Sequence, residues 1–181
     1  MALISTPWPL YSRPSIQLGA LKAYLNARFP DLHVEAHHFY LKLAEAIGYK
    51  LYHTVSERTW LAESIYASLL YPNRWKQIRK LFIREARRKS MLRQTGLKAL
   101  SEKVKQTTTD FIDSIDWGAL QLAGFSVSLC QLTSALYFIK TIKQKYPKLI
   151  TVIGGSSFSG NTARSLLNLF PATIRHKILK T

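Results

Sequence analysis

From Trp117 to Ile139 the chain carries no charged residue. A stretch of that length has two homes. It can cross a bilayer as one helix, which takes about 20 apolar residues. Or it can be a buried strand running directly into a half-buried helix. Gln121, Ser126, Ser128, Gln131, Thr133 and Ser134 lie inside it, together with Gly124, and so many polar groups weigh against a bilayer. The second solution fits the local patterns. Leu120–Ser128 (LQLAGFSVS) reads as a strand, and Leu129–Tyr146 as a helix with Leu132, Leu136, Ile139 and Ile142 on one stripe. Pro147 breaks that helix, the β-branched run Leu149–Ile153 follows as another strand, and Gly154–Gly155 ends it.

The same alternation opens the chain. Ala2–Thr6 is a short apolar run ended by Pro7 and Pro9, read as a buried strand. Ser15 is placed to cap a helix in which Leu18, Leu21, Tyr24, Leu25 and Arg28 follow at helical spacing, and Pro30 stops it. Leu32–Tyr40 reads as a second strand, sending Val34, Ala36 and His38 to one face and Glu35, His37 and Phe39 to the other. Strands alternating with helices predict an α/β fold with a doubly wound, mostly parallel, Rossmann-like sheet. Right-handed crossovers place the ligand crevice of such a sheet at the carboxyl ends of its strands.

Residues 41–116 interrupt that pattern with helical signals alone: Leu41–Ile47, Thr59–Tyr71, Arg74–Arg93 and Leu97–Ile115, punctuated by Gly48, Pro72 and Gly96. This is too long for a simple crossover and predicts a helical insertion. A short helix, Asn161–Phe170, is expected to complete an α/β domain over residues 1–170, with a basic tail over 171–181.

The charge is concentrated in the insertion. The chain has a net charge of +16, and residues 74–105 hold twelve Lys/Arg against Glu85 and Glu102, a net of +10. A localised excess points to one basic surface more than to general nucleic-acid affinity. Arg74, Lys76, Arg79, Lys80, Arg84, Arg87, Arg88 and Lys89 spread over the helix Trp75–Arg93, with Ile78, Leu81, Phe82 and Ile83 between them. Three readings stay open: a solvated helix packed on one apolar stripe, a docking face for an acidic partner, and a nucleic-acid element. No base-reading motif is present, which places nucleic acid last.

Cys130 is the single cysteine. One thiol excludes an intrachain disulfide and any multi-cysteine zinc or iron–sulfur site. The first residues, Met1–Ala2–Leu3–Ile4, lack the basic leader of a signal peptide, so a cytoplasmic location is expected. No P-loop or Gly-x-Gly-x-x-Gly follows any strand. His37 and His38 are adjacent in a strand and point to opposite faces, which disfavours shared metal ligation. Asp110, Asp113 and Asp116 step along one helical face and read as a solvated edge. The histidines have no identifiable serine or cysteine partner at a strand-end turn, so no nucleophile–base pair is expected.

The informative positions are therefore the strand ends. Gly154 and Gly155 permit close approach of backbone, and Ser126, Ser128, Ser156, Ser157 and Ser159 offer hydroxyls without bulk. The segment GFSVSLCQLTSALYFIKTIKQKYPKLITVIGGSSFSG resembles the cobalamin-binding half of B12-dependent radical SAM enzymes. The start, ALISTPWPLYSRPSIQLGALKAYL, is similar to the N-terminus of the radical SAM C-methyltransferases that mature ribosomally made peptides (RiPPs). The resemblance implies a cobalamin-binding module. Ser126-x-Ser128 and Gly154-Gly155 would then stand where the family has Ser-x-Leu and Gly-Gly, wrapping the cofactor's lower nucleotide tail. Trp8, Ser126, Ser128, Gly154, Gly155 and Ser156 are the expected cofactor-binding residues, with Trp8 placed after the first strand to cover the corrin.

The chain departs from the family in two respects. The loop after the first strand, TPWPLYSRP, has no histidine, and Asp31-Leu32-His33-Val34-Glu35-Ala36 only mimics Asp-x-His-x-x-Gly at the opposite end of the sheet. The resemblance therefore implies cobalamin held without a protein histidine. The Cys-x-x-x-Cys-x-x-Cys motif of the radical SAM cluster is absent, and PATIRHKILKT stands where the family runs a fifth strand and a Gly-Glu-rich loop. The resemblance therefore implies a truncated, excised or frame-shifted module that is expected to catalyse nothing alone, whose partners would be a radical SAM domain or a precursor peptide. The alternative is a non-catalytic binding protein that uses helix 75–93 on nucleic acid or an acidic partner.

Overall fold

A computed structural model describes residues 1–87 and 89–157. The expected helix Asn161–Phe170 and the basic tail 171–181 lie outside them. Strand β1 (Ala2–Ser5) is wholly buried and leads through a Pro-rich loop into α1 (Ile16–Arg28). Ser15 caps α1 as its sequence predicts, its hydroxyl accepting the Leu18 N–H. Strand β2 (Glu35–His38) then pairs parallel to β1, from Ala2 opposite Glu35 to Ser5 opposite His38.

The second strand is shorter than the expected 32–40. Phe39 and Tyr40 open α2 (Phe39–Ile47), because both rings are buried under the insertion, where a helical turn delivers them together. Gly48, at φ +88°, turns the chain into α3 (Tyr49–Ser56), a helix that its aromatic and β-branched composition hid. Then follow α4 (Thr59–Leu70), α5 (Trp75–Glu85), α6 (Ser90–Thr95) and α7 (Leu97–Asp113). The expected single helix Arg74–Arg93 is thus two. The run Arg87–Arg88–Lys89 offers no apolar residue to hold a helical face, and the break lets Leu92 bury completely.

The uncharged stretch 117–139 is not one helix. Trp117–Ala119 is a 3₁₀ turn, β3 covers Leu122–Ser126, and α8 (Leu132–Lys145) starts only after a turn at Leu129–Cys130. Among the described residues no helix is long and apolar enough to cross a membrane. Strand β4 (Ile150–Gly154) completes a four-stranded, all-parallel sheet of order β2-β1-β3-β4.

Two apolar clusters mark its two faces. Leu3 packs with Leu18 of α1 and Val34 on one side. Ala2, Ile4, Ala123, Phe125 and Ile153 pack on the other, against α8 and the insertion. Helices on both faces make the sheet doubly wound and Rossmann-like. A Cβ on Gly124 would lie 3.0 Å from the Leu3 side chain, so the glycine makes room for it. On the α1 side no helix among the described residues covers β4, and Ile150 and Val152 are exposed. The insertion packs inward through α4 on α8 and α2 on α7. It closes a buried polar core in which Tyr66 Oη and Thr108 Oγ1 lie 2.9 Å apart, and Ser68 Oγ and Ser101 Oγ 2.8 Å apart.

Candidate functional site

In a 2-1-3-4 sheet, β1 feeds α1 toward β2, while β3 feeds α8 toward β4. Their connections diverge between β1 and β3, and this switch point is where doubly wound sheets hold ligands. Here the insertion covers it. Ser5, Thr6, Pro7 and Trp8 are all buried. Gln131 ties the two loops: its Nε2 donates to the carbonyl of Thr6, and its Oε1 accepts from the backbone N–H (2.9 Å) and hydroxyl (2.6 Å) of Ser128. Ser134 Oγ donates to the Pro7 carbonyl at 2.6 Å.

Trp8 belongs to this seal. It is 2% exposed, its Nε1–H donates to the Ala62 carbonyl at 3.1 Å, and its ring lies 5.1 Å from that of Tyr52. Tyr52 in turn donates its hydroxyl to the Pro9 carbonyl. Trp8, expected to cover a cofactor, is placed instead within the core. The loop after β1 folds its indole into the insertion's aromatic core, where both ring and N–H are satisfied.

Glu63 of α4 closes the other natural opening. A helix N-terminus beside such a crevice presents free N–H groups that attract a ligand anion. On α8 those groups are taken: the Glu63 carboxylate accepts the N–H of Leu132 at 3.0 Å and of Thr133 at 2.8 Å, and Thr133 Oγ1 donates to the Glu63 carbonyl. Sequence reasoning passed over Glu63 and Gln131. The one available signal was a lone acid in the otherwise uncharged helix Thr59–Leu70.

The other five candidates converge on the outer half of the carboxyl edge. Ser126 sits opposite Gly154 in the β3–β4 register. The Val127 N–H donates to the Gly154 carbonyl at 2.7 Å, and the Ser157 N–H to the Val127 carbonyl at 3.3 Å. Gly155 has φ +113°, and a Cβ there would lie 2.3 Å from the Val127 oxygen. Only glycine allows this crossing. Gly154 differs: a Cβ on it meets nothing within 4 Å. Ser126, Ser128 and Gly154 are half-buried, and Gly155 and Ser156 are exposed.

Several other titratable groups serve local structure. Cys130, at φ 69°, donates its thiol to Thr59 Oγ1, and burial pushes its pKa up, away from a reactive thiolate. Glu35 bridges His33 Nε2 and His37 Nε2 at 3.1 Å each. These imidazoles, His33 foremost, hold its carboxyl below the usual range. Asp110 accepts from Gln106, Asp113 pairs with Lys145, and Asp116 caps the turn at Trp117. No group of His, Cys, Asp or Glu among the described residues could hold a metal ion.

Compared with known protein families, curated proteins and solved structures, the chain gives no match.

Proposed function

We propose that the chain is a cobalamin-binding module that holds the cofactor's nucleotide tail against the carboxyl ends of β3 and β4. The observation that carries this reading is the contrast between the two glycines. Gly155 is accounted for by its crossing over Val127, whereas the space above Gly154 is open among the described residues. A position that internal packing does not restrict to glycine is suited to close approach from outside. Around it Ser126 and Ser156 can donate to and accept from the tail's polar groups, while Ser128, whose hydroxyl donates to Gln131, can accept. The sealed β1/β3 half narrows the site to the β3–β4 half, and no histidine is drawn on to bind cobalt.

Bound cobalamin would supply the methyl-transfer chemistry of such a module. This chain's residues would bind and orient the cofactor. A cluster for radical cleavage of S-adenosylmethionine needs several thiolates, and the chain has only Cys130. The reading is therefore of a methyltransferase module that works with a radical SAM domain lying outside these 181 residues.

The test is retention of hydroxocobalamin, read from the corrin absorption after desalting. The wild type should keep it, and Gly154→Trp should lose it while keeping its melting temperature. A wild type that retains no corrin, or a Gly154→Trp variant that retains it fully, overturns the reading.

A further inference from the structure

The insertion carries a second concavity that does not involve the sheet. Helix α5, the turn into α6 and the start of α7 enclose a cleft of about 620 Å³. Its floor is apolar, made by the buried side chains of Phe82, Ala86, Leu92 and Leu97. Arg79, Arg87, Arg93 and Lys98, all exposed, line its rim together with Trp75, Ile83 and Gly96. The lining contains no carboxylate, and among the described residues none of these four cations forms an ion pair. The nearby acids are engaged elsewhere, Glu85 with Arg84 and Glu57 with Lys89.

On the opposite flank of α5 lies another cleft of about 510 Å³, edged by Lys80 and Arg84. Ile83 and Arg87 line both clefts, so the two form one surface with Ile83 as its ridge. Ile83 is 50% exposed.

We propose that this surface docks an acidic peptide segment bearing large apolar side chains. The cation ring calls for carboxylates, and the floor calls for a side chain of Leu or Phe type. Two clefts joined over a ridge exceed a single small ligand and suit an extended or helical segment laid across α5. Nucleic acid fits less well. Phosphate contacts favour cations along an open track with exposed rings for stacking, whereas of this cleft's two rings Phe82 is buried on the floor and Trp75 is half-buried against the core. A bilayer fits less well too, since the apolar floor lies below its charged rim. The proposal is independent of the cobalamin reading, and its test involves no corrin.

The experiment measures fluorescence anisotropy of a short labelled peptide of Glu, Leu and Phe against the full chain. Saturable binding that weakens as salt rises is expected. Replacing Glu by Gln, or Leu and Phe by Ala, in the peptide should each weaken it about tenfold or more. On the protein, the exposed changes Arg79→Glu with Arg93→Glu should do the same, and so should Ile83→Ser. Circular dichroism should show each variant folded. Absence of saturable binding overturns the proposal. So does loss on charge reversal with no effect of Ile83→Ser, which would mean diffuse attraction alone. Binding of a mixed-sequence oligonucleotide or of phosphatidylserine vesicles that these variants abolish, with the peptide unbound, would assign the surface to those partners instead.

Discussion

The carboxylate of Glu63 lies 2.8 Å from the backbone nitrogen of Thr133, seventy residues further along the chain. Through this contact the insertion caps a helix of the α/β scaffold. The anion that an open sheet would take from solvent comes here from α4. A capping carboxylate satisfies orphan N–H groups and complements the helix dipole. Glu63→Ala should lower stability by about 1–2 kcal/mol in urea unfolding. Glu63→Gln should lose less, since an amide oxygen still accepts one of the two N–H groups. Equal losses in both variants would count against the cap.

The two strand-end glycines should respond differently to a single methyl group. Gly155→Ala places a Cβ against the Val127 backbone at a φ of +113°, where an L residue is strained. A loss of about 2–4 kcal/mol is expected, at the upper end of backbone effects. Gly154→Ala enters open space and should stay within about 0.5 kcal/mol of the wild type. Chemical denaturation of the pair distinguishes the roles. A neutral Gly155→Ala would show that the crossing is not fixed.

His38 should make stability depend on pH. Its Nδ1 is shut from solvent with no hydrogen-bond partner among the described residues. Burial, and then the neighbouring His37, hold its pKa below the ordinary 6.5. A proton that the unfolded chain still binds is thus released in the folded state. Stability is complete above the unfolded value of 6.5 and falls as pH drops through it toward the lower folded value. The melting temperature should therefore fall on acidification below about pH 6.5, and His38→Gln should flatten that slope. An unchanged slope in His38→Gln would assign the dependence to other groups.

What the sequence disclosed, and what it hid, follows the range of the forces involved. The Ser15 cap, the four strands and the stripe of α8 are written in local spacing, so they were legible. Helix α3 was not. Tyr49-Lys50-Leu51-Tyr52-His53-Thr54-Val55 has no helical preference of its own, and the helix is held by burying Tyr52 and Val55. The division of the basic helix also escaped, because the burial of Leu92 decides it. The position of Ser126, Ser128, Gly154, Gly155 and Ser156 at the ends of β3 and β4 was legible from the strand pattern. The cap by Glu63 and the tie through Gln131 join residues far apart in sequence, and no local pattern announces such a pair.

The side taken by Trp8 is the sharpest case, because a loop residue after a strand can turn outward or inward. Its indole is buried against Tyr52 and Tyr66 and donates to Ala62. Its removal should therefore be felt as lost stability. Trp8→Ala should cost about 3–5 kcal/mol, the range for emptying an aromatic site in a core. Trp8→Phe keeps part of the ring contact but leaves the Ala62 carbonyl without its donor, and should cost about 1–3 kcal/mol. If a corrin is retained at the β3–β4 edge, Trp8→Phe should retain it as the wild type does, once measured below its own melting temperature. Loss of the corrin from a fully folded Trp8→Phe would return the indole to the ligand site. Unfolding curves and corrin retention on the same sample separate the two roles.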